Sequence, residues 1–353
     1  MLTYDGNRVI DAQGTQAGKA LPHAITTTDG RTVDSTGAFL VGELERLDQT
    51  LHMPLAAVTF ARDIDLREDV TIADEASSFT LSSFASAGGL GVGNGIGNGK
   101  AWIGKTTDQI TGVSVDIAKV PNPLDLWGME LKYTIPELES AARLGRPVDQ
   151  QKFEGMQLKH QMDIDEQVYI GDTSKGTKGL INNALVTPSA LPNGASGLSA
   201  WSKKTPDEIL ADVNLMLVTT WQNSALAVMP DRLLLPPTQF GYIATQKVSN
   251  AGNVSILKYI LENNILVTSG QGKLVVFPLK WLQGAGVGGT LGTAGIDRAV
   301  VYLKEYQRVR YPMTMLQRTP VQYDSIYHKT TYYCRLGSVE MVYPETCGYY
   351  DGL

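Results

Sequence analysis

The stretch from Thr134 to Gly171 constrains this chain more than any other part of it. Thr134 and Glu137 stand in the capping-box relation, in which a hydroxyl and a carboxylate three residues apart satisfy each other's backbone N–H groups. Pro136 falls in the first turn, where a missing N–H does no harm, and Gly145 sits where a helix end calls for left-handed backbone. That predicts one short helix. Pro147 then opens a second helix over 147–170, whose inward stripe reads Phe153, Met156, His160, Ile164 and Val168, with Gly171 closing it. At 1.5 Å per residue this helix is about 35 Å long, the width of a small domain. Such an element is a strut, and the rest of the fold has to be built against its one apolar face.

The sequence before the strut has little that can fold by itself. Residues 1–34 are rich in Gly, Thr, Ala and Asp without a sustained period, and read as an extended arm that gains order only by lying on something else. Residues 35–66 hold a short helix, capped at Ser35 or Thr36 with Leu40, Leu44, Leu47 and Leu51 on one face, ended by Pro54. A strand follows, with Val58, Phe60, Ile64 and Leu66 alternating and a break at Arg62. Over 67–112 the chain turns polar and β-like around the glycine-dense segment Gly88 to Gly99, and strict alternation resumes at Val113, Val115 and Ile117. Two β segments flanking a long excursion make a protruding loop, which cannot bury enough of itself to stand alone.

After the strut the character is mixed α+β. Residues 183–204 read as a Pro, Ser, Gly and Ala connection. Helices fit 206–219, 237–247 and 253–263, and strands fit 231–235, 273–277, 299–303 and 331–342. Gly284 to Gly295 reads as a flexible surface connection. The Tyr-rich end, with Tyr323, Tyr327, Tyr332, Tyr333 and Tyr343, suits a sheet buried on one side or an interface.

Composition limits the partners. The 353 residues suffice for two or three domains, 43% are hydrophobic, and only 19% are charged against roughly 25% in average soluble proteins. A surface short of charge suits faces covered by neighbours, since desolvating charge on association is unfavourable. The net charge of −6 and the lack of any run of basic residues argue against a dedicated nucleic-acid binder. Cys334 and Cys347 have no CxxC or CxxH companions, so reduced structural thiols are expected. No apolar signal region stands in the first thirty residues and no run approaches a membrane span, so no membrane partner is expected.

One segment imitates chemistry. Gly99 to Thr106 satisfies the phosphate-loop pattern GxxxxGK[ST], with Gly99, Gly104, Lys105 and Thr106 in the diagnostic places. The mechanism needs a buried strand entering that loop and a helix leaving it, so that backbone N–H groups face the phosphates. Here Gly and Asn precede it, Trp102 and Ile103 crowd it, and residues 107–117 alternate like a strand. The nearest acid for a magnesium ion, Asp231, has a Pro immediately before it. The four histidines are scattered, and His160 reads as a packing residue of the strut. Asp163, Asp165, Glu166 and Asp172 crowd the end of the strut without sharing one face, and read as a solvated face or as salt bridges between subunits. With no GxSxG elbow and no placed nucleophile, the expectation is a structural protein, not an enzyme, with no cofactor and no metal.

The run from His160 through Asp165 to Gly171, followed by Gly179, Leu180, Ile181 and Asn182, resembles a signature of tailed-bacteriophage major capsid proteins of the Hong Kong 97 type. In that family a long spine helix ends at a glycine and is followed closely by Gly-Leu-hydrophobic-Asn. The resemblance implies an α+β capsid fold with residues 1–34 as N-terminal arm, 35–66 as short helix and strand, and 67–112 as extended β loop. Residues 113–204 would be the peripheral domain with spine helix 147–170, 205–320 the axial α+β domain, and 321–353 strands returning to the peripheral domain. It implies pentamers and hexamers closing an icosahedral shell around double-stranded DNA, weak contact with that DNA, and portal, scaffold and decoration proteins as partners. The place would be the virion, assembled in the host bacterial cytoplasm. A nanocompartment shell shares the fold, and a nucleotide-binding protein using Gly99 to Thr106 is the alternative of another class. No long charged helical segment precedes the arm, so no fused scaffolding region is expected.

Overall fold

The computed structural model describes residues 3–5, 8–10, 16–19, 56–86, 113–144, 148–249, 252–293 and 295–353. The helix expected within 35–51, the glycine segment 88–99 and the phosphate-loop pattern 99–106 lie outside them. The chain divides into two units, Met1–Pro54 and Leu55–Leu353. In the first, β1 (Thr3–Asp5), β2 (Arg8–Ile10) and β3 (Gln16–Lys19) pair as an antiparallel meander.

The second unit corrects the expected strand from Val58 to Leu66. Phe60–Asp63 is a single helical turn, α1, and only Asp65–Arg67 is a strand, β4. The alternating pattern yields because a carboxylate from the long helix takes the N–H groups of Thr59 and Phe60, which turns the backbone into a helix start. Next come β5 (Ala76–Ser86) and β6 (Val113–Pro123), paired antiparallel in unbroken register from Ala76 opposite Pro123 to Ser86 opposite Val113. Strand β7 (Asp125–Thr134) leads into α2 (Ile135–Leu144), and there the capping box forms, with Glu137 N–H donating to Thr134 Oγ1 at 3.2 Å. The long helix is α3 (Val148–Tyr169).

Beyond it lie β8 (Pro188–Ala190), α4 (Pro206–Asn223), β9 (Arg232–Leu235), α5 (Pro237–Thr245), β10 (Lys247–Ser249), β11 (Gly252–Ser255), α6 (Ile256–Asn263) and α7 (Ile265–Thr268). Helix α4 starts with a reciprocal capping box between Thr205 and Glu208. The chain ends with β12 (Val275–Pro278), β13 (Arg298–Tyr302), β14 (Val309–Pro312), β15 (Gln317–Arg318), β16 (Gln322–Asp324), β17 (Tyr327–Leu336), β18 (Glu340–Met341) and β19 (Cys347–Asp351).

A five-stranded sheet in the order β12-β9-β13-β19-β8 separates two hydrophobic cores. Successive side chains of a strand point to opposite faces, so Val300 and Tyr302 enter the core shared with α3 while Ala299 and Val301 enter the core under α4 to α7. This is why β13 is buried at every position. A second sheet pairs β17 with β7 from Tyr327 opposite Thr134 to Leu336 opposite Asp125, and flanks β17 with β15 and β16.

Three more expectations change. The last strands do not all return to the long-helix region: β17 does, but β19 pairs antiparallel with β13 in the five-stranded sheet. Its five residues are all buried, so they need a two-sided sheet. The connection 183–204 carries β8 and a core anchor, Trp201, which is 1% exposed. The glycine segment from Gly284 is a tightly wound loop, not a loose one. Gly284 has φ +67°, and a Cβ there would lie 2.0 Å from the Thr290 carbonyl oxygen. Its N–H donates to Asp297 Oδ1 at 2.8 Å, and Gly286 N–H donates to Ile296 O at 2.9 Å. Glycine is there for close backbone approach.

Candidate functional site

Helix α3 lies along the inner face of the β7–β17 pair. Met156, Ile164 and Val168 are buried, and Phe153 is half-buried with its ring 5.5 Å from that of Tyr332. His160 is buried as well, its Nε2 3.2 Å from Cys334 Sγ and its ring 4.7 Å from Trp127. Burial holds its pKa below the usual histidine value. Among the described residues no group of three or more His, Cys, Asp or Glu stands ready to hold a metal ion.

The motif residues at the end of α3 form a lock. A helix leaves its last carbonyls without partners. Gly171, at φ +78°, reverses the chain, and a Cβ on it would lie 2.6 Å from the Thr177 carbonyl oxygen. After the turn, Leu180 N–H donates to Val168 O at 2.8 Å, Ile181 N–H to Tyr169 O at 3.1 Å, and Gly179 N–H to Ile170 O at 3.1 Å. Asn182 completes the arrangement: its Oδ1 accepts from Gly179 N–H and its Nδ2 donates to Ile170 O, both at 2.8 Å. Only glycine fits at 179, since a Cβ would lie 2.3 Å from the Tyr169 carbonyl carbon and oxygen. Leu180 and Ile181 are buried beneath the helix end.

The lock is tied to the five-stranded sheet. Arg298 grips Asp351 with both arms of its guanidinium, at 2.7 and 3.0 Å, and donates from Nη1 to Ile181 O at 2.8 Å. Tyr349 donates its hydroxyl to Leu180 O at 2.6 Å. Sequence reading identified Gly171, Gly179, Leu180 and Asn182 but missed Arg298, Tyr349 and Asp351, which lie over a hundred positions away and have no local signature.

The acidic cluster is corrected residue by residue. Asp165 is fully buried. Its Oδ1 accepts from Thr59 N–H (2.8 Å) and Phe60 N–H (3.2 Å), and its Oδ2 accepts from Trp281 Nε1 (2.8 Å) and pairs with Lys280 (3.2 Å). Asp163 accepts from Trp127 Nε1 at 2.9 Å and from Lys159. Asp172 accepts from Ser174, and Glu166 is exposed. Sequence spacing reads the four together as a solvated face or as salt bridges between subunits; Asp163, Glu166 and Asp172 do line one surface pocket, whereas Asp165 is a buried structural cap. Asp231 accepts from Lys304 N–H at 3.1 Å.

An open cleft of about 610 Å³ lies beside β8 and β19, with Ser189, Thr219, Gln222 and Glu345 among its walls. Cys347 lines it too, but burial pushes its thiol up to about 12, so it is protonated and unreactive at neutral pH. Elsewhere the surface carries exposed apolar side chains: Leu126, Leu185, Met315 and Tyr323 are between 63% and 74% exposed. On the β5–β6 ribbon Ile117 is 67% exposed. Among the described residues no hydrogen bond or ion pair joins the ribbon beyond Ser78 to the rest of the chain.

A strut locked at its end, two cores divided by one sheet, and a paired ribbon held at its root define an architectural protein, whose buried polar groups fasten one segment of the chain to another. The chain belongs to the major capsid protein family, whose model matches residues 99–353. Its fold is of the Hong Kong 97 type. A chain in the capsid of Myoviridae phage XM1 superposes with a TM-score of 0.66 at 18% identity, over 88% of this chain and 98% of that one. A chain in the capsid of the native GTA particle gives 0.55 at 11% identity, over 91% and 99%. One from Gordonia phage Cozz gives 0.51 at 10% identity, over 95% and 98%. A sequence comparison with curated proteins returns no match. No helix among the described residues is long and apolar enough to cross a membrane.

Proposed function

We propose that many copies of this chain join through heterologous contacts as pentamers and hexamers and close an icosahedral shell around the double-stranded DNA of a tailed phage. The observation that carries this reading is the ribbon. It is two 11-residue strands, paired throughout, and among the described residues no hydrogen bond or ion pair ties them to the rest of the chain beyond the root. An isolated two-stranded hairpin is marginal in water, so a neighbouring copy has to supply its third layer. The role is structural and not catalytic. The net charge of −6 suits a lumen that does not grip DNA, because phosphate binding needs clustered Lys and Arg. Portal, scaffold and decoration proteins are the expected further partners, and the host bacterial cytoplasm the place of assembly.

Removing Phe79 to Val120 and joining the ends with a short glycine linker tests it. The shortened chain is expected to stay soluble and folded and to form no shells by size-exclusion chromatography and negative-stain microscopy. Normal particles from it would overturn the reading.

A further inference from the structure

The root of the ribbon is gripped by side chains from other strands, β17 and β18 remote in sequence and β4 just before it. Arg335, on β17, donates from Nε to the carbonyl of Ile72 at 2.9 Å and from Nη1 to the carbonyl of Leu124 at 3.0 Å. Those carbonyls lie just before β5 and just after β6, so one guanidinium holds both legs. Leu124 N–H donates to Glu75 O at 3.0 Å and closes the legs on each other. Arg67, on β4, donates to Ser77 Oγ at 3.0 Å and Ser78 O at 3.3 Å. The buried carboxylate of Glu340 gathers Arg67, Arg310 and the Ser77 hydroxyl. Arg335 is itself fixed, donating its N–H to Thr314 Oγ1 at 2.8 Å and accepting from Thr314 N–H at 2.9 Å.

We propose that Arg335 is the positioning residue of the ribbon: it sets the angle at which the ribbon leaves the body, and so the line along which the ribbon reaches a neighbouring copy. The second half rests on the assembly reading above; the first does not. Among the described residues no third strand pairs with the ribbon, so the contacts described at its root are the ones that set its direction. At about 3.3 Å per residue, 11 residues reach about 36 Å, and a slack of about 10° at the root moves the tip by about 6 Å. Apolar contact is lost beyond roughly 4.5 Å, so that slack is enough to miss a partner surface. A planar guanidinium holds its donors at fixed spacing, which lets it bridge two carbonyls; a lysine ammonium carries the charge without that geometry.

Spin labels on Ser82→Cys in the ribbon and Glu130→Cys on β7 read the angle as a distance distribution. Cys334 and Cys347 stay unlabelled, because both thiols are buried and pushed up to about 12. Excess unlabelled chain removes distances between copies. The otherwise unaltered protein and the exposed control Arg318→Ala are expected to give one narrow distance. Arg335→Ala is expected to broaden or split the distribution, with Arg335→Lys in between and the unfolding midpoint of the body held. Equal widths in folded Arg335→Ala or Arg335→Lys overturn the proposal, and so does unfolding of both variants, which would assign Arg335 to the body's own stability. The measurement needs no shell. Failure of the unaltered chain to form particles would count against the assembly reading alone, while a broadened distribution with particles of scattered diameter from Arg335→Lys supports both.

Discussion

Asp165 and Phe60 stand 105 positions apart, and the carboxylate of the first caps the helical turn that begins at the second. The same carboxylate holds the Trp281 indole and the Lys280 ammonium, so two remote segments of the chain converge on one buried charge of the long helix. A buried carboxylate is tolerable only when its lone pairs are filled, and here they are.

Asp165→Ala is therefore expected to destabilise the subunit by about 3–5 kcal/mol, because it strands two backbone N–H groups and an indole N–H. Asp165→Asn keeps one acceptor oxygen and loses the ion pair, for roughly half that loss. Urea unfolding measures both, and an unchanged midpoint for the alanine variant contradicts the capping role.

Two glycines shortly after the end of α3 separate space from backbone strain. Gly176 has φ +72° and nothing near its Cβ position, so Gly176→Ala is expected to cost about 1–2 kcal/mol. At Gly179 the obstacle is the Tyr169 backbone at 2.3 Å, which cannot move without opening the lock. Gly179→Ala is expected to cost about 3 kcal/mol or more and to yield insoluble chain. Soluble yield and thermal midpoints of the two variants check the order.

His160 predicts a pH dependence. Burial lowers its pKa in the folded chain from the ordinary 6.5, so the unfolded chain binds the proton more readily. Its stability contribution is full above 6.5 and is lost as pH falls from there through the lower folded value. His160→Leu is expected to flatten that part of the curve of urea midpoint against pH. Parallel curves for the two proteins reject it.

Lys204 and Asp212 form a buried ion pair at 2.5 Å, with Trp201 Nε1 also donating to Asp212 at 3.0 Å. Burial raises the Asp212 pKa, and Lys204 opposes that rise. Lys204→Met is expected to cost about 3–5 kcal/mol, whereas Lys204→Met with Asp212→Leu recovers most of it, since no charge is then left alone. A double-mutant cycle on unfolding free energies reads the coupling, and additive losses would show that the pair does not interact.

The parts legible in the sequence were the helix starts, the strut and the glycine lock. The Thr134–Glu137 box and the Gly171 reversal depend on bonds that reach three to five residues, and a residue string displays that range directly. The stripe Met156, Ile164 and Val168 follows from helical period alone. Phe60 shows where this ends: its neighbours alternate like a strand, yet a cap from Asp165 makes it helical. The acidic cluster misled for a related reason, since sequence spacing tells which helix face a carboxylate occupies but not what packs on that face.

By itself, then, the sequence determined the helix starts at Thr134 and after Pro147, that a long strut exists, and that it ends at Gly171. Only the tertiary structure decided that β19 joins β13, that alternate residues of one strand feed two different cores, and that Arg335 grips both legs of the ribbon. The physical reason is range. Caps and periods are satisfied within a turn or two of chain, whereas these choices depend on groups from about fifty to over two hundred positions away, whose proximity is set by the packing of the whole molecule.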